Sequence, residues 1–310
     1  MIYTLLAGAA SGLRLFARTS ILQAYAKGGL MVSAITKILS CAALLSASHS
    51  PKVLAAMGKF NAAQVSTVSE RVEIVRYNQA RTAKVRIGDR LKFAIWNVHK
   101  FTDDLALRTV DYFSHVADFV FIEESMVGGR YERFFKNLGT MQWLSAQSFS
   151  KGQSEFTGVT TGTRFAVANS YGVRSNAREP ILKTPKMFVV TEIPIEGVAN
   201  TLMVVNIHGI NFVGNGDYAS QLIQLEAVLK SHAGPIVLAG DFNLWSIDRA
   251  IMVHTLAKRV GLDYVPLTDD HRGLPLDQIL VRGLRPHEAR VMVDLEGSDH
   301  LPLWAELELL

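Results

Sequence analysis

Residues 234–246 read Gly-Pro-Ile-Val-Leu-Ala-Gly-Asp-Phe-Asn-Leu-Trp-Ser. The apolar run 236–239 has the length of a buried strand. It ends in Gly-Asp-Phe-Asn (240–243), where an acid and an amide stand that burial of apolar surface does not explain. A helical pattern follows over 246–260.

The same arrangement recurs along the chain. Apolar runs at 91–98, 119–122, 158–163, 188–193, 202–207, 278–281 and 301–307 also read as strands. Trp-Asn-Val-His (96–99) closes the first, Glu123-Glu124 the second and Asn-Ile-His-Gly (206–209) another. Leu276-Asp277 and Ser298-Asp299-His300 precede the last two. Helical patterns lie at 105–116, 131–138 and 218–232, the last with Leu222, Leu225, Val228 and Leu229 on one face. Strands and helices alternate without a regular βαβ beat, and no Gly-rich phosphate loop is present. The expectation is an α/β (α+β) layered fold rather than a doubly wound nucleotide fold.

Charge divides the chain. Of 32 Lys and Arg against 28 Asp and Glu, six basic residues (Arg14, Arg18, Lys27, Lys37, Lys52, Lys59) and no acid fall in 1–69. The remainder has 26 basic and 28 acidic residues, a net −2. Net charge thus gives no support for a duplex-wrapping protein. The single Cys41 excludes an internal disulfide and a thiolate metal cage.

Residues 1–59 are expected to be a targeting segment outside the fold. From Met31 the stretch has the form of a secretory signal: a basic start, the apolar run 38–47, then small residues at 46–48. The expectation is export to the periplasm or medium, or membrane association. A transit peptide, an uncleaved anchoring helix and a cytoplasmic protein are the alternatives. Residues 60–90 are expected to be a linker or an edge strand, and 91–310 the catalytic domain.

Polar residues at strand ends can converge at one rim of a sheet. Singly, each has a structural explanation: Asn97 as a cap, Glu124 as a solvated acid, His208 as a core histidine, Asp241 as an Asx turn, Asp277 and Asp299-His300 as turn residues. Together they make coherent chemistry. Carboxylates and amide oxygens are hard ligands suited to Mg²⁺ or Mn²⁺. A histidine beside a carboxylate can activate water or stabilise a phosphate.

These stretches, with Val-Val-Asn-Ile-His-Gly-Ile-Asn-Phe (204–212), Pro-Leu-Asp-Gln-Ile-Leu-Val-Arg-Gly-Leu (275–284) and Ser-Asp-His-Leu-Pro-Leu (298–303), resemble the endonuclease/exonuclease/phosphatase superfamily over about 91–307. Within it they resemble the bacterial YafD-like branch. The resemblance implies a four-layer sandwich, with two packed mixed β-sheets flanked by helices, and a metal-dependent phosphoesterase. Asn97, Glu124 and Asp299 would serve the metal. Asp241 and Asn243 would position water and phosphate. His300 would contact the phosphate or act as base, Asp277 would orient it, and His208 would stabilise the transition state. Arg164 is a further, weaker match for phosphate contact. Two positions depart from the family: His99 stands where many of its nucleases have Asp, and Glu123 where Gln usually precedes the metal Glu. Which of Glu123 and Glu124 binds metal is left open by the sequence; Glu124 is chosen because Asp118 then keeps the family register.

The expected substrate is a phosphoester: DNA, a phospholipid headgroup or a small phosphate ester. Specificity is expected in rim loops at 128–129, 145–156, 171–185 and 212–218. The competing readings are a non-catalytic binding module that kept the fold and a membrane-tethered interaction protein.

Overall fold

The computed structural model describes residues 70–150 and 154–310. The expected targeting segment at 1–59 lies outside the described residues. No helix among the described residues is long and apolar enough to cross a membrane. The described residues 70–150, 154–270 and 274–310 belong to one compact unit.

Two seven-stranded sheets form its centre. One takes in β1 (Arg71–Val72), β7 (Asn169–Arg174), β8 (Met187–Pro194), β9 (Thr201–His208), β10 (Ile236–Asp241), β12 (Asp277–Arg282) and β11 (Asp263–Tyr264), in that spatial order. The other runs β13 (Leu284–Val291), β14 (Leu303–Leu309), β3 (Arg90–Asn97), β4 (Phe119–Gly128), β6 (Glu155–Thr163), β5 (Gln142–Ser150) and β2 (Ile74–Tyr77). Both are mixed: β3 runs parallel to β4 and β9 parallel to β10, while the other pairs of named strands are antiparallel. Helices α1 (Asp104–Val116), α2 (Gly129–Asn137), α3 (Asn215–Lys230) and α4 (Ile247–Val260) complete the layers.

Side-chain alternation shows how the layers stack, because successive residues of a strand face opposite sides. Phe93, Ile95, Phe119 and Phe121 pack with Val204, Val237, Ala239 and Ile279 in one core between the sheets. Their neighbours Ala94, Trp96, Val120 and Ile122 pack instead with Val110, Phe113 and Phe135 of α1 and α2. Met203, Val205, Ile236 and Leu238 pack with Leu222, Leu225, Met252 and Leu256 of α3 and α4. The result is the expected four-layer sandwich.

Each strand and helix expected from the apolar pattern is present, with ends moved by a few residues. The structure corrects all four expected rim loops in part: Gly128 ends β4, Gly129 begins α2 and Asn215–Tyr218 belongs to α3. Gln142–Ser150 and Glu155–Thr163 are paired strands, so most of 145–156 is sheet, and Tyr171–Arg174 belongs to β7. Buried hydroxyls explain the difference at 145–156: Ser145 and Thr160 bond each other across the pair, and Thr160 also donates to Ser125, so these polar residues sit inside the sheet. β13 was also not legible, because Arg285, Pro286, His287 and Glu288 are exposed on an edge strand. In the lead-in, β1 and β2 are the edge strands of different sheets, pairing with β7 and β5.

Candidate active site

The strand ends meet at one end of the gap between the sheets. Asn97 continues the inward parity of Phe93 and Ile95, and Glu123 that of Phe119 and Phe121. His208 follows Val204, Asp241 follows Val237 and Ala239, and Asp277 precedes Ile279 on the same face. Register completes the arrangement, since Asp241 lies opposite His208 on β9 and Asp277 on β12, and Asn97 lies opposite Glu123.

Asp241 is the hub. It accepts a hydrogen bond from Asn97 Nδ2 at 3.1 Å and from the Asn243 backbone N–H at 2.8 Å. His208 Nε2 is 3.6 Å from its Oδ2, and His300 Nε2 is 3.9 Å away. His300 Nδ1 bonds both oxygens of Asp277, at 3.0 and 3.1 Å. Burial and the charge of Asp277 push the Asp241 carboxyl up to about 7, against His300, the Asn243 N–H and Asn97. For His300, burial favours the neutral ring, but the hydrogen bond and charge of Asp277, helped by Asp241 and Asp299, raise it to about 9. His208 is held well below the ordinary imidazole value by burial and by Lys186, despite Glu124. One histidine is therefore charged at neutral pH and the other is not.

The two glutamates occupy different surroundings. The β4–β6 register slips between Ile122 and Ser125, and Glu124 has a left-handed φ of 51°. Strict alternation would turn Glu124 away from the gap; the bulge returns it to within 3.8 Å of His208 Nε2. Lys100 Nζ donates to its Oε2 at 2.5 Å and Lys186 Nζ to its Oε1 at 3.4 Å. Burial opposes its ionisation, but His208 and the two lysines outweigh that and hold the carboxyl down at about 2. Glu123 is fully buried, and neither of its oxygens has a hydrogen-bond partner among the described residues. Burial, Asp277 and Asp241 push its carboxyl well up.

The donor set fits a hard divalent cation. Asp241, Asp277 and His300 offer ligand atoms within 4.8 Å of one another. Asn97 and Glu124 add an amide and a carboxylate at the neighbouring strand ends. Asp241 and Glu123 both resist ionisation beside Asp277, a surplus of negative charge that a cation relieves. Asp299 stands at the rim, with its side chain 62% exposed and its Oδ1 3.7 Å from His99 Nδ1. Arg164 is placed elsewhere. Its guanidinium donates to the carbonyls of Ser114, His115 and Ala117 at the C-terminal end of α1, so the structure gives it a capping role and not phosphate contact.

Several residues that hold the site escaped the sequence reading. Trp96 Nε1 donates to the His300 carbonyl at 2.8 Å, and Ser298 Oγ to the Asn97 carbonyl at 2.6 Å, tying the 298–300 turn to β3. Asn243, which the sequence did single out, has φ 53° and donates through Nδ2 to the Gly209 carbonyl. Beneath it lies Arg249, fully buried, which donates to the carbonyls of Ile210, Asn243 and Val213 and lies over the rings of Tyr218 and Trp245. One signal was available: Arg249 shares the helical stripe of Met252, Val253, Leu256 and Val260, where an arginine needs internal partners.

The comparisons with known proteins bear on family and fold. The model described as the endonuclease/exonuclease/phosphatase family matches residues 94–300. A UPF0294 protein of Erwinia tasmaniensis is 35% identical over 230 residues, covering 72% of this chain and 82% of that one. Among solved structures, an endonuclease/exonuclease/phosphatase from Beutenbergia cavernae superposes with a TM-score of 0.57 at 17% identity, over 71% of this chain and 72% of that chain. ANGEL2, a 2′,3′-cyclic phosphatase solved with adenosine-2′,3′-vanadate, superposes with a TM-score of 0.52 at 15% identity, over 77% and 99%. At these identities the structural likeness is one of fold.

Proposed function

Because the chain belongs to the endonuclease/exonuclease/phosphatase family, we propose that it hydrolyses phosphoester bonds with Mg²⁺ or Mn²⁺. The observation that carries this reading is the placement of Asp241 within 4 Å of two imidazoles, 3.6 Å from His208 and 3.9 Å from His300, the latter fixed by Asp277.

In this reading Asn97 and Glu124 hold the cation, with Asp299 at the rim. When bound, the cation supplies Lewis-acid charge to the phosphoryl oxygens. The chain's own residues do the rest. Asp241, raised toward neutrality, takes a proton from the attacking water, and Asn243 keeps that carboxylate in place. Protonated His300 donates to a phosphoryl oxygen, while Asp277 fixes its ring. Neutral His208 hydrogen-bonds the transition state from the other side of Asp241.

The substrate is a phosphoester of DNA, of a phospholipid headgroup or of a small molecule. The near-neutral body favours a compact ester over long tracking of a polyanion. The acid-free N-terminal stretch supports export or membrane association.

The test is turnover by the full chain of three substrates: supercoiled plasmid, phospholipid vesicles and p-nitrophenyl phosphate. Each is assayed in Mg²⁺, in EDTA and with His300→Ala. Metal-dependent turnover lost in the variant supports the reading. Folded, Mg²⁺-supplied protein inert toward all three would sink it.

A further inference from the structure

The three most exposed large apolar side chains among the described residues are Ile181, Phe212 and Leu182, at 91%, 75% and 74%. All three sit on loops at the site end of one sheet, and Trp245 and Ile247 are exposed in the same set of connections. Residues 175–186 join β7 to β8, 209–214 join β9 to α3, and 242–246 join β10 to α4. β9 and β10 end in His208 and Asp241, and Met187 at the start of β8 lies opposite His208, so these loops border the site.

Polar groups tie the loops together and leave the apolar tips outside. The Asn211 N–H donates to Glu179 Oε1 at 3.3 Å, and Asn211 Oδ1 accepts from Trp245 Nε1 at 2.9 Å, so one residue links all three loops. Glu179 also accepts from Thr184 Oγ1, and its backbone closes the turn that carries Ile181 and Leu182. Lys183 and Phe212 are held at φ 54° and 53°, a costly conformation for residues other than glycine. A strained phenylalanine whose ring stands in water gains no burial within the fold; a surface outside the fold that takes the ring accounts for it. Single exposed apolar residues need no explanation, but five on cross-linked connections around one site mark an interaction surface.

We propose that these loop tips dock on an anionic phospholipid bilayer, with Ile181, Leu182 and Phe212 inserted among the headgroups. Charge and connectivity single out this occupant. Arg178 and Lys183, both exposed, flank the Ile181-Leu182 tip, and basic residues beside inserted apolar ones are what an anionic interface binds. Glu179 is turned inward onto Thr184, Asn211 and Lys186. Asp217 and Asp248 stand in the first turns of α3 and α4, where the helix N-termini offset their charge. The acid-free stretch 1–69, with its six basic residues, joins the sandwich at this same end: Glu70 accepts from Arg174, the last residue of β7, at 2.6 Å. Docking brings headgroup phosphodiesters to the mouth of the site; that they are the substrate class rests on the phosphoesterase reading, whereas docking itself does not.

The test uses the full chain and vesicles of equal parts phosphatidylcholine and phosphatidylglycerol, in EDTA, so that binding is read without turnover and failure of the hydrolytic reading shows separately. Wild type should sediment with the vesicles. Ile181→Ser combined with Leu182→Ser should lower the partition coefficient by at least about tenfold, with an unchanged melting curve because both side chains project from the fold. Insertion is read by tryptophan emission over wild type with bromine on the acyl chains. Phe212→Trp should add emission that the bromines quench. Ile87→Trp, exposed before β3 at the end remote from the site, should add emission that they do not. Absent vesicle binding, or a double variant that binds like wild type, would overturn the proposal. So would bound protein in which Phe212→Trp is unquenched, since another segment would then hold the bilayer. A wild-type dimer that the double variant abolishes, with vesicles ignored, would assign the surface to a second copy instead.

Discussion

His300 Nδ1 lies 3.0 and 3.1 Å from the two oxygens of Asp277, so the ring, just before β14 of one sheet, is held by a carboxylate at the start of β12 in the other sheet while its Nε2 faces Asp241. The pair separates orientation from chemistry. His300→Ala should lower turnover by about 10²–10⁴-fold with the fold intact, and Asp241→Ala likewise. Asp277→Asn should cost less than His300→Ala, because the ring survives with a weaker partner. Steady-state kinetics with a melting curve for each variant decide this; a larger loss for Asp277→Asn would mean that Asp277 does more than orient.

The same pair should leave a pH signature in stability. His300 is raised from its ordinary value of 6.5 to about 9 in the folded protein. A raised histidine stabilises fully below the unfolded value, and the contribution is lost as pH rises through the folded one. Wild type should therefore exceed Asp277→Asn by up to about 3 kcal/mol at pH 6, with the gap closing as pH rises from the unfolded value to the folded one and nearly gone above pH 9. Urea unfolding in EDTA at pH 6, 8 and 10 measures it, and a gap that widens at high pH would contradict the assignment.

Gly240 is required by backbone geometry just before the Asp241–Asn243 turn. Its φ is 134°, and a Cβ there would stand 2.2 Å from the Ile207 carbonyl oxygen on β9. Gly240→Ala should destabilise by about 2–4 kcal/mol. Thermal melting reads this as a Tm lowered by about 5–10 °C. A Tm equal to wild type would show that β9 and β10 can separate without cost.

Arg249 supports the Asn243 turn from below. Arg249→Met would leave the carbonyls of Ile210, Asn243 and Val213 without their guanidinium donor. Losses of about 1–3 kcal/mol per buried unsatisfied group add to at least about 3 kcal/mol. The denaturation midpoint should fall accordingly, and the folded fraction should turn over more slowly because Asn243 is no longer held.

Glu123 and Glu124 can be separated by metal titration. Changes to groups that only support a ligand typically cost about 10–100-fold in metal affinity. Glu124→Gln, taken as loss of a direct ligand, should weaken Mg²⁺ binding by at least about 100-fold. Glu123→Gln, which removes a buried carboxyl and keeps its shape, should leave Mg²⁺ affinity within a few-fold. Isothermal titration with Mg²⁺ measures both, and the reverse ranking would transfer the ligand role to Glu123.

The sequence by itself determined the buried strands β3, β4, β6, β8, β9, β10, β12 and β14, their polar ends and the four helices, because side-chain alternation and helical periodicity are local properties of the chain. It also singled out Asn97, His208, Asp241, Asp277 and His300 as one set, since each sits beside a strand end with a side chain that apolar burial cannot account for. Tertiary structure alone decided the rest. The bulge after Ile122 gives Glu123 and Glu124 opposite electrostatic fates, although local parity would send one of them out of the gap. The left-handed turn at 99–101 and the start of β8 bring Lys100 and Lys186 onto one carboxylate. Arg164 was drawn away from the phosphate role to the carbonyls at the end of α1. In each case the deciding partner is distant in the chain, and only packing of the two sheets fixes which charge meets which.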